Sequence, residues 1–210
     1  MMRFAILFLL AATAYGQQTH SVTLGWGHPT PDNPPGTTYR FYWAPGPCNP
    51  LPTTWSLAVQ DLPASVVVWQ HTTGIVPGVR CYSGTAYYNS LESVKSVPAE
   101  TSVPSFVPTG LVATVVANQV QLTWADDLNP PGTTRWKVLR APGLCSGSPV
   151  FSPIATALAV KNYTDAAAPV GTSCYAVTAT DNGVESSPSN GQQAAIPTLP
   201  PTALTIQQVQ

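Results

Sequence analysis

Charged side chains are scarce in this chain: only 8% of its 210 residues are Asp, Glu, Lys or Arg, and the net charge is −1. A basic surface that would attract nucleic acid or an anionic membrane is therefore not expected. The low charge does not indicate disorder, because 44% of the residues are hydrophobic and disordered chains combine high charge with few hydrophobic residues. The composition predicts a folded protein that binds neither nucleic acid nor membranes.

Motifs that carry catalysis or bind metals are also missing from the sequence. It contains no Gly-x-Ser-x-Gly turn, no phosphate-binding glycine loop and no Cys-x-x-Cys pair. The three histidines, His20, His28 and His71, are scattered, and we expect them at the surface. Asp126 and Asp127 stand beside a Pro-Pro-Gly turn, where solvation is expected rather than calcium binding. The sequence therefore predicts a protein that is not an enzyme and needs no cofactor.

Long apolar runs are absent except at the N-terminus, which has the features of a secretory signal peptide. Arg3 precedes a short apolar stretch, and residues 14–16 form a small-x-small cleavage site, with 12–14 as an alternative. We predict a signal peptide over residues 1–16. The run is shorter than the roughly 20 residues that span a bilayer. The mature protein is therefore expected to be secreted, on the cell surface or in a periplasm, without membrane insertion.

What the sequence does contain is an internal repeat with a period of about 95 residues. Four patterns occur in both halves of the chain. They are Val-x-Leu-x-Trp at 22–26 and 120–124, Pro-Pro-Gly-Thr-Thr at 34–38 and 130–134, Ala-Pro-Gly-x-Cys at 44–48 and 141–145, and Cys-Tyr at 81–82 and 174–175. One period has the length of a small β-sandwich. We predict two domains, residues 17–103 and 104–198, and a tail of residues 199–210.

Alternation of apolar and polar residues predicts that these domains are built of strands. The Val-x-Leu-x-Trp pattern places its three apolar side chains on one face. In the strand that follows the first Pro-Pro-Gly turn, Tyr39 and Phe41 are expected to face inward and Arg40 outward. Twenty-three prolines argue against long helices, so the predicted fold class is all-β.

A set of segments in the second repeat carries a family resemblance. The set comprises Val120-x-Leu122-x-Trp124, Tyr163-Thr164-Asp165, residues 171–179 and Glu185-Ser186-Ser187-Pro188-Ser189. It resembles a fibronectin type III domain of the bacterial sort, and residues 108–111 are similar to the opening strand of that family. The resemblance covers 104–198 well and 17–103 more loosely. It implies two immunoglobulin-like β-sandwiches in tandem.

The four cysteines are expected to form disulfides, because the predicted export places them in an oxidising compartment. Four cysteines allow three pairings, and the repeat favours Cys48 with Cys81 and Cys145 with Cys174. Zinc binding and free buried thiols are the alternatives. The resemblance supports the favoured pairing, since in that fold the end of the third strand lies near the start of the sixth. By closing its loop in the unfolded chain, each bridge would stabilise the folded state by roughly 3–4 kcal/mol.

The two repeats differ at their ends. The second repeat has an opening strand near 111–116, whereas only residues 17–21 would precede the first strand of the mature first repeat. The tail resembles an opening strand without a domain of its own. Its candidate donor residues are Ala203, Leu204, Ile206 and Val209.

A strand with an unpaired edge invites the addition of another strand. The candidate acceptor residues are Val22, Leu24 and Trp26 in the first repeat. Donation from one subunit to the next would be head to tail and would produce open filaments. Alternatively, residues 17–21 form a short strand and the tail is a frayed end.

The predicted function is that of a secreted structural or adhesive protein whose partner is another copy of itself or another extracellular protein. The alternative is a carbohydrate-binding accessory protein that uses exposed rings of the first repeat, with Tyr42, Trp43 and Trp55 as candidate contacts to a polysaccharide. A periplasmic pilus chaperone is a third interpretation, but that family uses basic residues between its domains, and residues 99–109 contain none. Asn162 begins a glycosylation sequon.

Overall fold

The structure is a computed structural model that describes residues 19–27 and 33–198. All regular secondary structure in these residues is β-strand, as the sequence predicts. No helix in this part of the chain is long and apolar enough to cross a membrane. The predicted signal peptide, His28 and the predicted donor tail lie outside the described residues.

The first sandwich contains seven strands in the described part of the chain. They are β1 (Val22–Gly25), β2 (Thr38–Pro45), β3 (Ser56–Pro63), β4 (Val68–His71), β5 (Gly78–Tyr88), β6 (Leu91–Glu92) and β7 (Ala99–Val103). One sheet pairs β1 with β4, and the other has the order β3-β2-β5, with β6 and β7 both pairing with β5. Every pairing is antiparallel.

The second sandwich contains eight strands. They are β8 (Thr109–Val116), β9 (Gln119–Ala125), β10 (Arg135–Pro142), β11 (Ser152–Leu158), β12 (Asn162–Asp165), β13 (Gly171–Asp181), β14 (Val184–Glu185) and β15 (Gln192–Ile196). One sheet has the order β12-β9-β8, and the other has the order β11-β10-β13, with β14 and β15 both pairing with β13. The fold is thus two all-β sandwiches in tandem, as predicted.

The repeated Pro-Pro-Gly-Thr-Thr sequence makes a similar turn in both sandwiches, one residue longer in the second. The Thr37 hydroxyl donates to the Pro34 carbonyl at 2.7 Å, and the Thr134 hydroxyl donates to the Pro130 carbonyl at 2.8 Å. The glycine between them has a φ of about 90° in each case, a conformation that disfavours other residues. This turn leads into β2 in one sandwich and β10 in the other.

A single buried cluster fills the second sandwich between its two sheets. It comprises Leu111, Val120, Leu122, Trp124, Trp136, Val138, Tyr175, Val177, Ala179, Ala194 and Ile196. The predicted alternation is visible in β9, where every second side chain points into this cluster. In the first sandwich Tyr39 and Phe41 are likewise buried and Arg40 is not, as predicted.

The two sandwiches differ in one sheet. In the second, β9 lies between β8 and β12. In the first, β1 pairs with β4, and among the described residues no strand lies along its other edge. As a result, Val22, Leu24 and Trp26 are only half-buried. Their counterparts Val120, Leu122 and Trp124 retain 1%, 1% and 6% exposure.

Each sandwich has one disulfide, and the predicted pairing is confirmed. Cys48 is bonded to Cys81 and Cys145 to Cys174, with Cα atoms 5.1 Å and 5.0 Å apart. Both bridges join the loop after one strand to the neighbouring strand of the same sheet. They are typical of proteins that fold in an oxidising compartment.

The segment between the sandwiches, residues 104–108, is held by hydrogen bonds to the second sandwich. The Ser105 hydroxyl donates to the Val184 carbonyl at 2.6 Å and accepts the Asp181 amide at 2.8 Å. The Asn129 side chain accepts the Phe106 amide and donates to the Phe106 carbonyl, both at 2.8 Å. These contacts fix the direction in which β8 enters its sheet.

Candidate functional site

The open edge of β1 lies beside a cavity of about 490 Å³ in the first sandwich. Its walls come from both sheets and from residues 93–96, which follow β6. The lining includes Trp26, Asn33, Tyr39, Phe41, Ala86 and Val94. The Trp26 ring lies 4.4 Å from Phe41 and 6.1 Å from Tyr39, so the cavity opens directly onto the aromatic core.

In the second sandwich a side chain of β8 packs among the residues that are equivalent to the core residues of this lining. The matching registers of the strands make Trp26, Tyr39, Phe41, Gly84 and Ala86 equivalent to Trp124, Trp136, Val138, Val177 and Ala179. Those five residues of the second sandwich share a buried cluster with Leu111 of β8. The cavity therefore marks the position of the strand that the described first sandwich lacks.

The rim of the cavity is unusually apolar for an exposed segment. Leu91, Val94 and Val97 are 75%, 90% and 92% exposed. The segment is nonetheless fixed, since the Ser93 amide donates to the Ala86 carbonyl and the Ser96 amide to the Gly84 carbonyl. In the second sandwich Ser187 and Asn190 replace the two valines. Neighbouring exposed apolar residues of this kind mark interaction surfaces.

Another group of aromatic residues lies on the outer face of the sheet formed by β3, β2 and β5. The Lys95 ammonium lies 4.2 Å from the Tyr42 ring centre and 5.9 Å from that of Trp55. Arg40 stacks on Tyr87 at 3.8 Å. All these rings are half-buried.

Hydrogen bonds centred on one carboxylate organise this outer face. Tyr42 and Thr85 both donate to Glu92, and these bonds, with Arg40 nearby, lower the pKa of Glu92. Burial, and then the same bond to Glu92, raises the pKa of Tyr42. The second sandwich repeats the arrangement with Lys137, Thr178 and Glu185 but has no ring at the Tyr42 position, where Leu139 stands.

Trp43 does not belong to this outer face. Alternation along β2 turns it to the side opposite Tyr42, where its ring centre lies 6.2 Å from that of His71 and 4.6 Å from the Arg80 guanidinium. Of the three candidate carbohydrate contacts, the structure thus brings together Tyr42 and Trp55 and separates Trp43.

His71 was expected at the surface, and this expectation is wrong. It is 4% exposed, and its Nδ1 lies 3.0 Å from the Tyr82 hydroxyl oxygen. Burial lowers the pKa of His71, and the nearby Arg80 charge lowers it further against an opposing hydrogen bond with the Thr73 backbone. His20 is half-buried, with its ring stacked 4.1 Å from Phe106.

The same positions in the second sandwich carry an ion pair. Asp165 stands in place of His71, accepts hydrogen bonds from Arg140 at 2.7 Å and from Tyr175 at 3.0 Å, and is buried. Burial and then the bond to Asp165 raise the pKa of Tyr175 to about 12. Both arrangements tie the two sheets together, so we interpret them as structural.

Metal-binding groups do not form a cluster within residues 19–27 and 33–198. Asp127 is exposed and lies 3.5 Å from the Lys161 ammonium, as expected of a solvated residue. Asp126 differs from the expectation because it is half-buried. It accepts hydrogen bonds from the Trp136 indole and from Asn129, both at 2.8 Å, which makes it a support for the turn.

No family model and no curated protein matches the sequence. Solved structures do match. A segment of two fibronectin type III domains from chicken tenascin aligns with a TM-score of 0.58 and 13% identity, covering 84% of this chain and 93% of that one. The alignment thus extends over both sandwiches. The chain has the fold of two fibronectin type III domains in tandem.

Two further solved structures are similar to this chain, one over about half of its length and one over most of it. An Fn3-like protein from Clostridium thermocellum is 35% identical, covering 47% of this chain and 99% of that one, with a TM-score of 0.38. The chicken interferon gamma receptor alpha chain is 12% identical, covering 86% and 98%, with a TM-score of 0.45.

The sequence predicted the strand β1, whose role as an acceptor stays a prediction, but not the surroundings of that strand. The cavity, the apolar rim at 91–97 and the role of Asn33 and Asn129 became visible only in the structure. The asparagines carried a signal, because each one immediately precedes a repeated Pro-Pro-Gly turn. The partner of Asn129, Phe106, is however 23 residues away, whereas Asn33 donates to the nearby Tyr39 hydroxyl. The candidate donor residues lie outside the described residues and stay a prediction.

Proposed function

We propose that this protein is a secreted, non-enzymatic structural subunit that assembles head to tail by strand donation. The observation that supports the proposal best is the edge of β1, which is unpaired among the described residues and lies beside a cavity lined by core residues. Residues 203–209 of one subunit would add to this edge in the next.

Strand addition suits the chemistry of the site. The edge offers backbone donors and acceptors in a row, which an antiparallel strand would satisfy. The cavity and the apolar rim would receive alternate side chains of that strand, and their burial would supply most of the free energy of binding. Charge has little part in this contact, since of the lining residues only Lys95 is charged.

The geometry favours donation to a neighbour over donation within one chain. β15 runs away from the junction between the sandwiches, because its partner β13 ends at the junction and Ile196 pairs with Gly171 at the far end. The cavity lies at the opposite end of the molecule, since the Trp26 end of β1 points away from the junction.

Residues 197–203 can extend about 25 Å at most. The 11 residues of β13 alone measure about 35 Å. The tail would therefore fall short of the cavity in its own chain. A second copy that follows in line would present its first sandwich where the tail emerges, and repetition of this contact would build an open filament.

The test is removal of residues 199–210. We expect the full chain to form large species in light scattering and the shortened chain to remain monomeric. Adding a synthetic peptide of residues 199–210 to the shortened chain should raise its melting temperature without producing large species. Unchanged assembly of the shortened chain would refute strand donation.

A second candidate function, polysaccharide binding, is supported by the rings of Tyr42 and Trp55 on the outer face. Flat aromatic faces can stack on sugar rings. Lys95 covers these faces, so a sugar would have to displace it. For this reason we favour the structural role.

Tryptophan fluorescence titrated with polysaccharides would test the second candidate. If it is right, a saturable change should occur in the wild type and weaken in a Trp55→Ala variant. Phe151→Ala, which alters the corresponding region of the second sandwich, should have no effect. Absence of any saturable change would exclude this candidate for the sugars tested.

A further inference from the structure

The segment that joins the two sandwiches is similar in sequence to the beginning of the tail. Residues 104–111 read Pro-Ser-Phe-Val-Pro-Thr-Gly-Leu, and residues 197–204 read Pro-Thr-Leu-Pro-Pro-Thr-Ala-Leu. Each segment follows the last strand of a sandwich. The first segment leads into a sandwich, whereas the second leads beyond the end of one. The similarity extends past the strand itself to the residues that make the junction.

The joining segment is held on the second sandwich at three places. Ser105 bonds the backbone of Asp181 and Val184. Asn129 clamps the amide and carbonyl of Phe106. Leu111 then enters the core cluster.

All three receiving places have counterparts among the described residues of the first sandwich. Tyr88 and Leu91 correspond to Asp181 and Val184 in the strand pairing, and both are exposed, whereas Asp181 is buried. Asn33 corresponds to Asn129, since each precedes the repeated Pro-Pro-Gly sequence, and it lines the cavity. Its side-chain amide donates to the Tyr39 hydroxyl at 3.3 Å, and its side-chain oxygen is an acceptor of the kind that Asn129 offers to the Phe106 amide. The cavity itself corresponds to the site of Leu111. The far end of the first sandwich is therefore built like the end of the second that receives the joining segment.

We propose that the junction between subunits copies the junction within a subunit, an inference that rests on the proposed strand donation. Residues 197–208 of one subunit occupy, on the first sandwich of the next, the place that residues 104–115 occupy on the second sandwich. Leu204 fills the cavity, and Asn33 clamps the backbone of residue 199. The occupant is a second copy of this chain.

The copied junction fixes the register of the donated strand. In the second sandwich Val112 lies opposite Thr123 and Thr114 opposite Gln121. Transfer of this register places Thr205 opposite Gly25 and Gln207 opposite Thr23, with all four positions on the solvent side of the sheet. The strand register itself is taken from residue 204 onward, because the second sandwich has an irregularity between Thr109 and Val112, where Gly110 has a φ of 60°. Ala203 adopts this φ less readily, so the backbone of residues 202–203 differs locally from that of residues 109–110.

Paired cysteine variants of the full chain test this register. Two matched pairs, Thr205→Cys with Gly25→Cys and Gln207→Cys with Thr23→Cys, place thiols directly opposite each other. Two crossed pairs combine the same four substitutions differently, as Thr205→Cys with Thr23→Cys and Gln207→Cys with Gly25→Cys. Diagonal neighbours lie about 7–8 Å apart, beyond the usual Cα separation of a disulfide. All four variants carry two added thiols, so disturbance of the native bridges would affect them equally.

The expected result is a ladder of covalent multimers on a non-reducing gel from both matched pairs and from neither crossed pair. A ladder from a crossed pair, or assembly in light scattering without a ladder from the matched pairs, would overturn the register and leave strand donation standing. A disulfide within one chain would appear as a monomer band that migrates faster. It would show that the tail occupies the cavity of its own chain and would refute the proposal that a second copy supplies it. Failure of all four variants and of the wild type to assemble would contradict the proposed function itself.

Discussion

Equivalent positions in the two sandwiches hold the sheets together with different side chains. Asp165, Tyr175 and Arg140 form a buried charged group in the second sandwich. His71 and Tyr82 form a neutral pair in the first. The backbone frame is the same in both cases. The exchange of a carboxylate for an imidazole is expected to make the first sandwich more sensitive to mild acid than the second.

We therefore predict that His71 makes the first sandwich sensitive to acid. Its pKa is lowered in the folded state from an ordinary value of about 6.5. The unfolded chain then binds the proton more readily, so stability is complete above that value and falls as the pH drops through the folded pKa. Melting temperatures at pH 7 and pH 5 measure the effect. His71→Asn should reduce the difference between them.

The control for this prediction is His20→Asn, because burial lowers the pKa of His20 as well. That variant reports the share of the pH effect that belongs to His20. If His71→Asn retained the full pH dependence of the wild type, the buried imidazole would not be its source.

Of the two asparagines that precede the Pro-Pro-Gly turns, Asn129 is predicted to affect the stability of the subunit and Asn33 mainly its assembly. Asn129→Ala leaves the amide and carbonyl of Phe106 unpaired, which costs about 1–3 kcal/mol for each group, so it should lower the melting temperature. Asn33→Ala removes the bond to the Tyr39 hydroxyl, worth about 1 kcal/mol, so it should lower the melting temperature less than Asn129→Ala does. It should also weaken assembly about tenfold, the equivalent of about 1.4 kcal/mol. Light scattering against protein concentration measures the second effect. Equal assembly of Asn33→Ala and wild type would exclude the clamp.

At the scale of elements, the strands β1 and β9 carry nearly the same pattern but have different surroundings. Alternation and the repeat were sufficient to predict both strands, the inward residues and the disulfides. They could not predict the burial of His71, although the repeat aligns it with Asp165, because a lone histidine in a strand has no characteristic pattern. The cavity was also unpredictable, since it depends on a residue of a neighbouring strand, Leu111, rather than on its own lining.

Amide hydrogen exchange is predicted to separate these two strands. Only one side of β1 is paired among the described residues, so its outward amides should exchange faster than those of β9, which lies between two strands. On assembly the exchange of β1 should slow to the rate of β9. Rates for β1 that are unchanged in assembled material would place the contact elsewhere.

Loss of the first disulfide is predicted to destabilise its sandwich more than loss of the second destabilises the other. They link residues 33 and 29 apart, so the chain-entropy contributions are nearly equal at roughly 3–4 kcal/mol each. The first sandwich has the smaller closed core, because β1 is only half-buried. Replacing Cys48 and Cys81 with alanine should therefore lower its calorimetric transition more than the matching change at Cys145 and Cys174 lowers that of the second. Equal shifts would contradict an incomplete first core.

At the scale of the whole molecule, the two sandwiches differ in how far their described residues close the core. The second sandwich closes its core with β8 and the joining segment. In the described part of the first, no strand lies along the free edge of β1, and Tyr88 and Leu91 are exposed. If each subunit completes the next, every sandwich in the filament except the terminal one acquires the architecture of the second sandwich. Low charge favours such an assembly, because a nearly neutral subunit has little electrostatic repulsion to overcome.

A comparison of two neighbouring substitutions by light scattering tests this account most directly. Leu204→Asp would place a charge in the cavity, whereas Thr205→Asp would place it on the solvent side of the same strand. The account predicts that Leu204→Asp abolishes assembly and that Thr205→Asp assembles like the wild type. Equal behaviour of the two variants, whether both assembled or both remained monomeric, would contradict the insertion of one face of the tail into the first sandwich.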